Sequence, residues 1–148
     1  METLLSVQDL SISFHTYNGE VQAVREASFD LGRGEVLAIV GESGSGKSVM
    51  MQTILQLTPC HLKGGRILFD GEDITRYTDR QMQSIRGSQI GIIFQDAMTS
   101  LNPTMKIGRQ ITESLLRHQK LSRKEARDRA LELLTQVGIN HPEKRYHQ

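Results

Sequence analysis

One cysteine, Cys60, is all the chain has, so no internal disulfide can staple the fold. No basic-then-apolar leader opens the sequence, which argues against secretion and leaves the cytoplasm as the expectation. Long apolar runs are missing as well. Stretches such as VLAIV, residues 36–40, fall far short of the roughly 20 residues that a membrane-spanning helix requires. Net charge is almost nil, with 18 Lys and Arg against 17 Asp and Glu in 148 residues. No overall field therefore points to nucleic acid or to an anionic membrane surface, and any nucleotide site has to be local. Internal repeats and low-complexity linkers are absent too, and the length suits one domain with a real core.

What is present follows an α/β order. Residues 4–14, LLSVQDLSISF, alternate partly at Leu10, Ile12 and Phe14 and predict an edge or half-buried strand. After a turn at TYNGE, VQAVREASFDL predicts a second strand broken near Ala27. EVLAIV has no polar residue after Glu35, the composition of a strand covered on both faces at the centre of a sheet. A helix closed by Pro59 follows, then a strand RILF running into an Asp70-Gly71 turn, a short helix ending at Gly87 and a strand QIGIIF. Beyond residue 106 the pattern turns helical. IGRQITESLLRHQ predicts one helix, and Ser122 with Glu125 forms a capping box for another whose apolar face is Ala126, Ala130, Leu133, Leu134 and Val137, with Gly138 as its stop.

Between the EVLAIV strand and its helix lies GESGSGKS, which fits G-x-x-x-x-G-K-[ST] with Gly41, Gly46, Lys47 and Ser48 at the fixed positions and Gly44 as an extra glycine. A triphosphate crowds its negative oxygens together, so the backbone must curve tightly and come close enough to present several N–H donors; glycine permits both. The loop ends at a helix N-terminus, where free N–H groups and the macrodipole favour anions. Lys47 is expected to reach the β- and γ-phosphates. At about 4 Å and an effective dielectric near 20, such a pair is on the order of 4 kcal/mol before desolvation. Ser48 is expected to place its hydroxyl on Mg²⁺, a hard cation that prefers oxygen. The plain alternative is a glycine-rich turn that happens to precede a helix, and the strand-loop-helix order speaks against it.

The next apolar strand ends GIIFQDAMTSLNPT, delivering Gln95 to a loop edge, where an amide can sense metal, attacking water and γ-phosphate. Alone, Gln95 reads better as a polar strand-end residue. Together, GEVLAIVGESGSGKS, GIIFQDAMTSLNPTMKIGRQI, LSRKEARDRALELLTQVGI and PEKR resemble the ATP-binding subunits of ABC-type oligopeptide and dipeptide importers, over essentially the whole chain. The combination of SGSGKSV with FQD and MTSLNPT carries the likeness. The resemblance implies an ABC-type P-loop NTPase fold: an N-terminal β subdomain and a parallel core sheet through residue 106, then the start of a helical subdomain over 107–148. It implies ATP and Mg²⁺ as cofactors, held by Gly41, Glu42, Ser43, Gly44, Ser45, Gly46, Lys47, Ser48 and Val49. Gln95 would be the glutamine that couples the nucleotide site to the membrane subunits, with Lys47 and Gln95 catalytic and Ser48 and Gln95 on the metal. An aromatic from the first strands would stack on adenine, with Tyr17 as the choice and Phe14 and His15 as rivals. The implied partners are permease subunits, a second ATP-binding subunit and, indirectly, an extracytoplasmic solute-binding protein, with no nucleic acid, at the cytoplasmic face of the plasma membrane. Ala97 departs from the family, which usually has proline there, and is expected to loosen the loop.

A hydrolytic P-loop site also needs a carboxylate behind the metal and a group that positions water. In that family an apolar strand ending in Asp-Glu and an LSGGQ-like signature supply the rest of the site, and this sequence has neither. RILFDGED is the nearest imitation, with Gly71 after Asp70, and reads as a strand entering a turn. The chain is accordingly expected to be an N-terminal portion of a longer protein, to bind ATP weakly and not to turn it over efficiently. VLAIV and GIIF are expected to lack strand partners and to make the chain poorly soluble. The basic residues from Lys106 to Arg129 read as a solvated helix face with interspersed acids; His141 and His147 lack metal-site spacing; Met50, Met51 and Met82 read as core filler. Import of another small solute such as nickel or a glutathione-like compound, a soluble P-loop phosphotransferase, and a non-catalytic nucleotide-binding fragment stand as alternatives.

Overall fold

The computed structural model describes residues 2–96 and 100–148, which separate into two compact units, Met1–Ser84 and Ile85–Gln148.

The first unit is built on an antiparallel sheet in the order β2-β1-β3-β4: β1 (Thr3–Thr16), β2 (Gly19–Gly32), β3 (His61–Phe69) and β4 (Glu72–Asp73). β1 and β2 form one long hairpin whose central strand also receives β3. Val7, Leu10, Ile12, Val24, Ile67 and Phe69 are buried from the sheet, and Met50, Ile54, Leu55, Ile74 and Met82 pack from the segments that follow. Met50 and Met82 are thus core residues, while Met51 is half-buried. The sheet is interrupted along one line. β1 shifts register between Val7 and Leu10, with Asp9 at φ 48, and β2 has Glu26 at φ 46 close to the Leu10–Ala27 pair. The displaced amides find hydroxyls instead: Asp9 N–H donates to Ser28 Oγ (2.8 Å) and Glu26 N–H to Ser11 Oγ (3.0 Å). In β3 the facing position is Gly65 (φ 92), where a Cβ would meet the Gln8 carbonyl oxygen at 2.5 Å and Leu10 Cα at 2.6 Å. Only glycine permits both that backbone and that approach.

The helix after the glycine loop, α1 (Lys47–Ile54), stops a turn earlier than Pro59 would require. α2 (Asp79–Met82) is a single turn opened by a Thr78–Gln81 capping box, shorter than the helix expected up to Gly87. Asp70 and Gly71 form the expected turn, with φ 52 and 81, and the Asp70 carboxylate is engaged by the Arg33 guanidinium.

Among the described residues the expected parallel core sheet is not formed. Residues 35–40 join no strand, and Val36 and Val40 are 93% and 88% exposed. The predicted strand 89–94 leaves only an isolated parallel bridge, Arg86–Ile90, and Ile93 is 98% exposed. Apolar composition marks a strand that is covered on both faces in its sheet, but a parallel strand also needs neighbours to complete its hydrogen bonds. Among the described residues none runs beside either segment.

The second unit is helical: α3 (Ile107–His118), α4 (Arg123–Gln136) and α5 (Pro142–Tyr146). α4 starts as predicted, with the Ser122 hydroxyl accepting from Glu125 N–H (3.3 Å) while the Glu125 carboxylate accepts from Ser122 N–H (2.7 Å). Ala126, Ala130 and Leu134 are its buried face, and Gly138 ends it at φ 77. Val137, assigned to that face from the sequence, is exposed. PEKR forms α5, with Pro142 in its first turn.

Candidate functional site

The glycine loop runs from Gly41 into α1. Gly44 (φ 81) and Gly46 (φ 88) both take left-handed conformations while Ser45 between them does not. That alternation makes successive N–H groups converge into an anion-binding nest. Gly46 is also the N-cap of α1, with no side chain accepting from the first helical amides, so those donors are left for a ligand.

The loop is held from below and from within. A Cβ on Gly46 would meet the Ala23 carbonyl oxygen at 2.5 Å and Val24 Cγ2 at 3.1 Å, so the loop is seated directly on β2. The Lys47 ammonium donates to the carbonyl oxygens of Gly41 (2.7 Å) and Glu42 (2.6 Å) and to Ser45 Oγ (3.0 Å). A Cβ on Gly41 would come within 3.1 Å of that Ser45 hydroxyl. Three oxygens of one loop thus converge on one cation, the arrangement of a loop curled round a small charged centre. Ser48, the second residue of α1, is exposed, and Val49 is half-buried beside it.

The structure therefore brings Gly41, Glu42, Ser43, Gly44, Ser45, Gly46, Lys47, Ser48 and Val49 into one feature. Tyr17 sits in the two-residue turn between β1 and β2 and is fully exposed, at 109%. Its rival Phe14 is half-buried and pairs with Val21, two residues before the Ala23 carbonyl beneath Gly46. His15 stacks edge-on with His61, ring centroids 4.3 Å apart.

Gln95 belongs to the second unit, exposed in a bend. Ala97 lies outside the described residues. Residues 102–105 are ordered by a side chain that the motifs do not single out. Gln110, on α3, donates through Nε2 to the carbonyls of Asn102 and Met105 (both 2.9 Å), and its Oε1 accepts from Asn102 N–H (2.9 Å). Asn102 Oδ1 in turn accepts from Thr104 N–H (2.9 Å) and Oγ1 (2.7 Å). The signal was in the sequence: Asn-Pro-Thr is a turn formula, and a glutamine one turn into the next helix is within reach of it.

Comparison with known proteins gives the family. The ABC transporter family matches residues 24–148. The oligopeptide transport ATP-binding protein OppD of Bacillus subtilis (strain 168) is 58% identical, the match taking in 98% of this chain and 41% of that protein. The dipeptide transport ATP-binding protein DppD of the same organism is 54% identical, over 100% of this chain and 45% of its own. The chain thus spans less than half the length of these curated relatives. Among solved structures, the dimeric bacterial cassette MJ0796 bound to ADP and Pi superposes with a TM-score of 0.82 at 24% identity, over 98% of this chain and 61% of that one. The cbiO1 subunit from Clostridium perfringens gives 0.68 at 31% identity, over 95% and 53%. With the family match extending from the second strand to Gln148, the chain belongs to the ABC transporter family.

Proposed function

We propose that the chain is the nucleotide-binding part of an ATP-binding subunit that powers the import of oligopeptides or dipeptides through a membrane permease. The observation that carries this is the cradle itself: a nest of two left-handed glycines at an uncapped helix N-terminus, with the Lys47 ammonium gathered over it. The peptide class is supported by the 58% and 54% identities to proteins named for oligopeptide and dipeptide transport.

In this reading the amides from Gly41 to Val49 bind the polyphosphate and Lys47 neutralises its outer phosphates. Ser48 and Gln95 offer oxygen ligands to Mg²⁺, which supplies charge neutralisation on the phosphate oxygens when bound. Tyr17 stands for the adenine platform, with Phe14 as the alternative nearer the loop. Residues 1–106 serve as β subdomain and nucleotide core, 107–148 as the beginning of a helical subdomain that meets the permease. A second ATP-binding subunit completes each site, and an extracytoplasmic binding protein delivers the peptide. The work is done at the cytoplasmic face of the membrane; among the described residues no helix is long and apolar enough to cross it.

Titration of the purified chain with a fluorescent ATP analogue in Mg²⁺ tests the proposal. Saturable binding is expected, weakened at least tenfold in Lys47→Ala. No saturation, or saturation indifferent to that substitution, removes the nucleotide site and the transport role with it. The segments 36–40 and 91–94, which join no sheet, favour the reading that this stretch alone does not turn ATP over, so steady-state hydrolysis at enzyme-like rates would contradict it.

A further inference from the structure

The chain has three asparagines, Asn18, Asn102 and Asn140, in very different surroundings. Asparagine is among the chemically labile side chains: where the main-chain nitrogen of the next residue reaches its Cγ, the two close into a five-membered imide. Asn102 is protected twice. Its Oδ1 accepts from Thr104 N–H and Oγ1, and Pro103 after it has no N–H to lose. Asn140 precedes His141, whose β-carbon stands beside the attacking nitrogen on a backbone held at φ 55.

Asn18 has neither protection. It lies in the turn between β1 and β2, exposed like Tyr17 before it and Gly19 after it, and among the described residues its side chain has no hydrogen-bond partner. In a two-residue Asn-Gly turn both residues would take positive φ. Here Tyr17 and Asn18 make the turn and Gly19 alone carries positive φ, at 115. Gly19 has no β-carbon to hinder approach to its nitrogen, and nothing lies within 4 Å of the place where one would stand, so no neighbouring element shields it.

We infer that Asn18 is a site of spontaneous deamidation. The Gly19 nitrogen gives up its proton and bonds to Asn18 Cγ; the Cγ–Nδ2 bond breaks, and ammonia leaves with the proton that Gly19 gave up. The imide then takes up one water. Opening at the side-chain carbonyl gives aspartate, and opening at the main-chain carbonyl gives isoaspartate, whose backbone runs through the former side-chain carbon. Water is the one co-reactant, and neither nucleotide nor partner is needed. Either product sets a new carboxylate next to Tyr17 and takes one unit from the formal net charge of +1; isoaspartate also lengthens the connection between two paired strands by one carbon. The Asp70-Gly71 turn reaches the same imide by losing water, but the Asp70 carboxylate is engaged by the Arg33 guanidinium, which disfavours attack there.

Ageing of the purified full chain in mildly alkaline buffer, followed by tryptic peptide mapping in a mass spectrometer, tests this. Peptide 1–25 is expected to exchange the mass of ammonia for that of water at least tenfold faster than the peptides that carry Asn102 or Asn140, at a rate that rises in proportion to hydroxide. Part of the product is expected to accept a methyl group from a protein isoaspartyl methyltransferase. Asn18→Ser is expected to abolish the mass change in peptide 1–25. A folded chain whose peptide 1–25 stays unchanged overturns the inference, and a change seen only in urea then assigns the protection to the turn. Faster reaction at Asn102 or Asn140, or a mass change that survives Asn18→Ser, overturns it as well.

Discussion

Gly46 and Ala23 are so close that a single methyl group on the glycine would stand 2.5 Å from the Ala23 carbonyl oxygen. The relationship ties the glycine loop to the sheet, and Gly46 is also held at φ 88. Gly46→Ala therefore suffers both backbone strain of about 1–3 kcal/mol and a clash with rigid main chain. A loss of about 2–4 kcal/mol in denaturant-induced unfolding is expected, with nucleotide binding abolished. A loss under 1 kcal/mol would mean that the loop can lift off β2.

The Tyr146 ring lies directly over Gly108, where any Cβ would overlap Cε1, Cζ and Cδ1 of the ring. Gly108→Ala should destabilise the helical unit by about 1–3 kcal/mol. Removing the ring should relieve most of that, so Tyr146→Ala and Gly108→Ala are expected to be strongly non-additive in a double-mutant cycle. Additive costs would place the strain elsewhere in α3.

The Glu125 carboxyl is held below the ordinary glutamate range by its hydrogen bonds to the Ser122 side chain and backbone. A depressed carboxylate contributes stability that is fully present above its unfolded pKa, about 4.3, and is lost as pH falls through the lower folded value. Helicity at 222 nm should therefore fall on acidification below about pH 4, with the Glu125 component absent in Glu125→Gln. Ser122→Ala should cost about 1 kcal/mol at neutral pH.

Val36 and Val40 present apolar side chains on a segment with no sheet partner, the composition of an edge that recruits other chains. Val36→Lys with Val40→Lys should raise the soluble, monomeric fraction several-fold by light scattering. Unchanged association would assign the self-pairing to another surface.

Local chemistry was legible in the sequence wherever a feature is satisfied by its own neighbours. The Ser122–Glu125 box, the Asp70-Gly71 turn and the glycine loop all appear where their residue types require them. The strands at 36–40 and 89–94 were read from composition alone, but a strand is completed by partners distant in sequence, and an apolar run cannot say whether they are present. The Gly65 kink and the Gln110 brace were missed for a related reason. Each glycine or glutamine looks ordinary until the opposing backbone, Gln8 and Leu10 or Asn102 and Met105, is brought up to it.

The line of irregularities through Asp9, Glu26 and Gly65 works as a crease that divides the hairpin into a fixed root and an aimed tip. The root is fastened by Arg33 to Glu2 and Asp70, while the tip bears Phe14, His15 and Tyr17. Successive side chains on a strand alternate between faces, so adding or deleting one β1 residue at that line would turn Ile12 and Phe14 to the opposite face of the sheet; the number of residues between crease and turn fixes which side chains of the tip face the core.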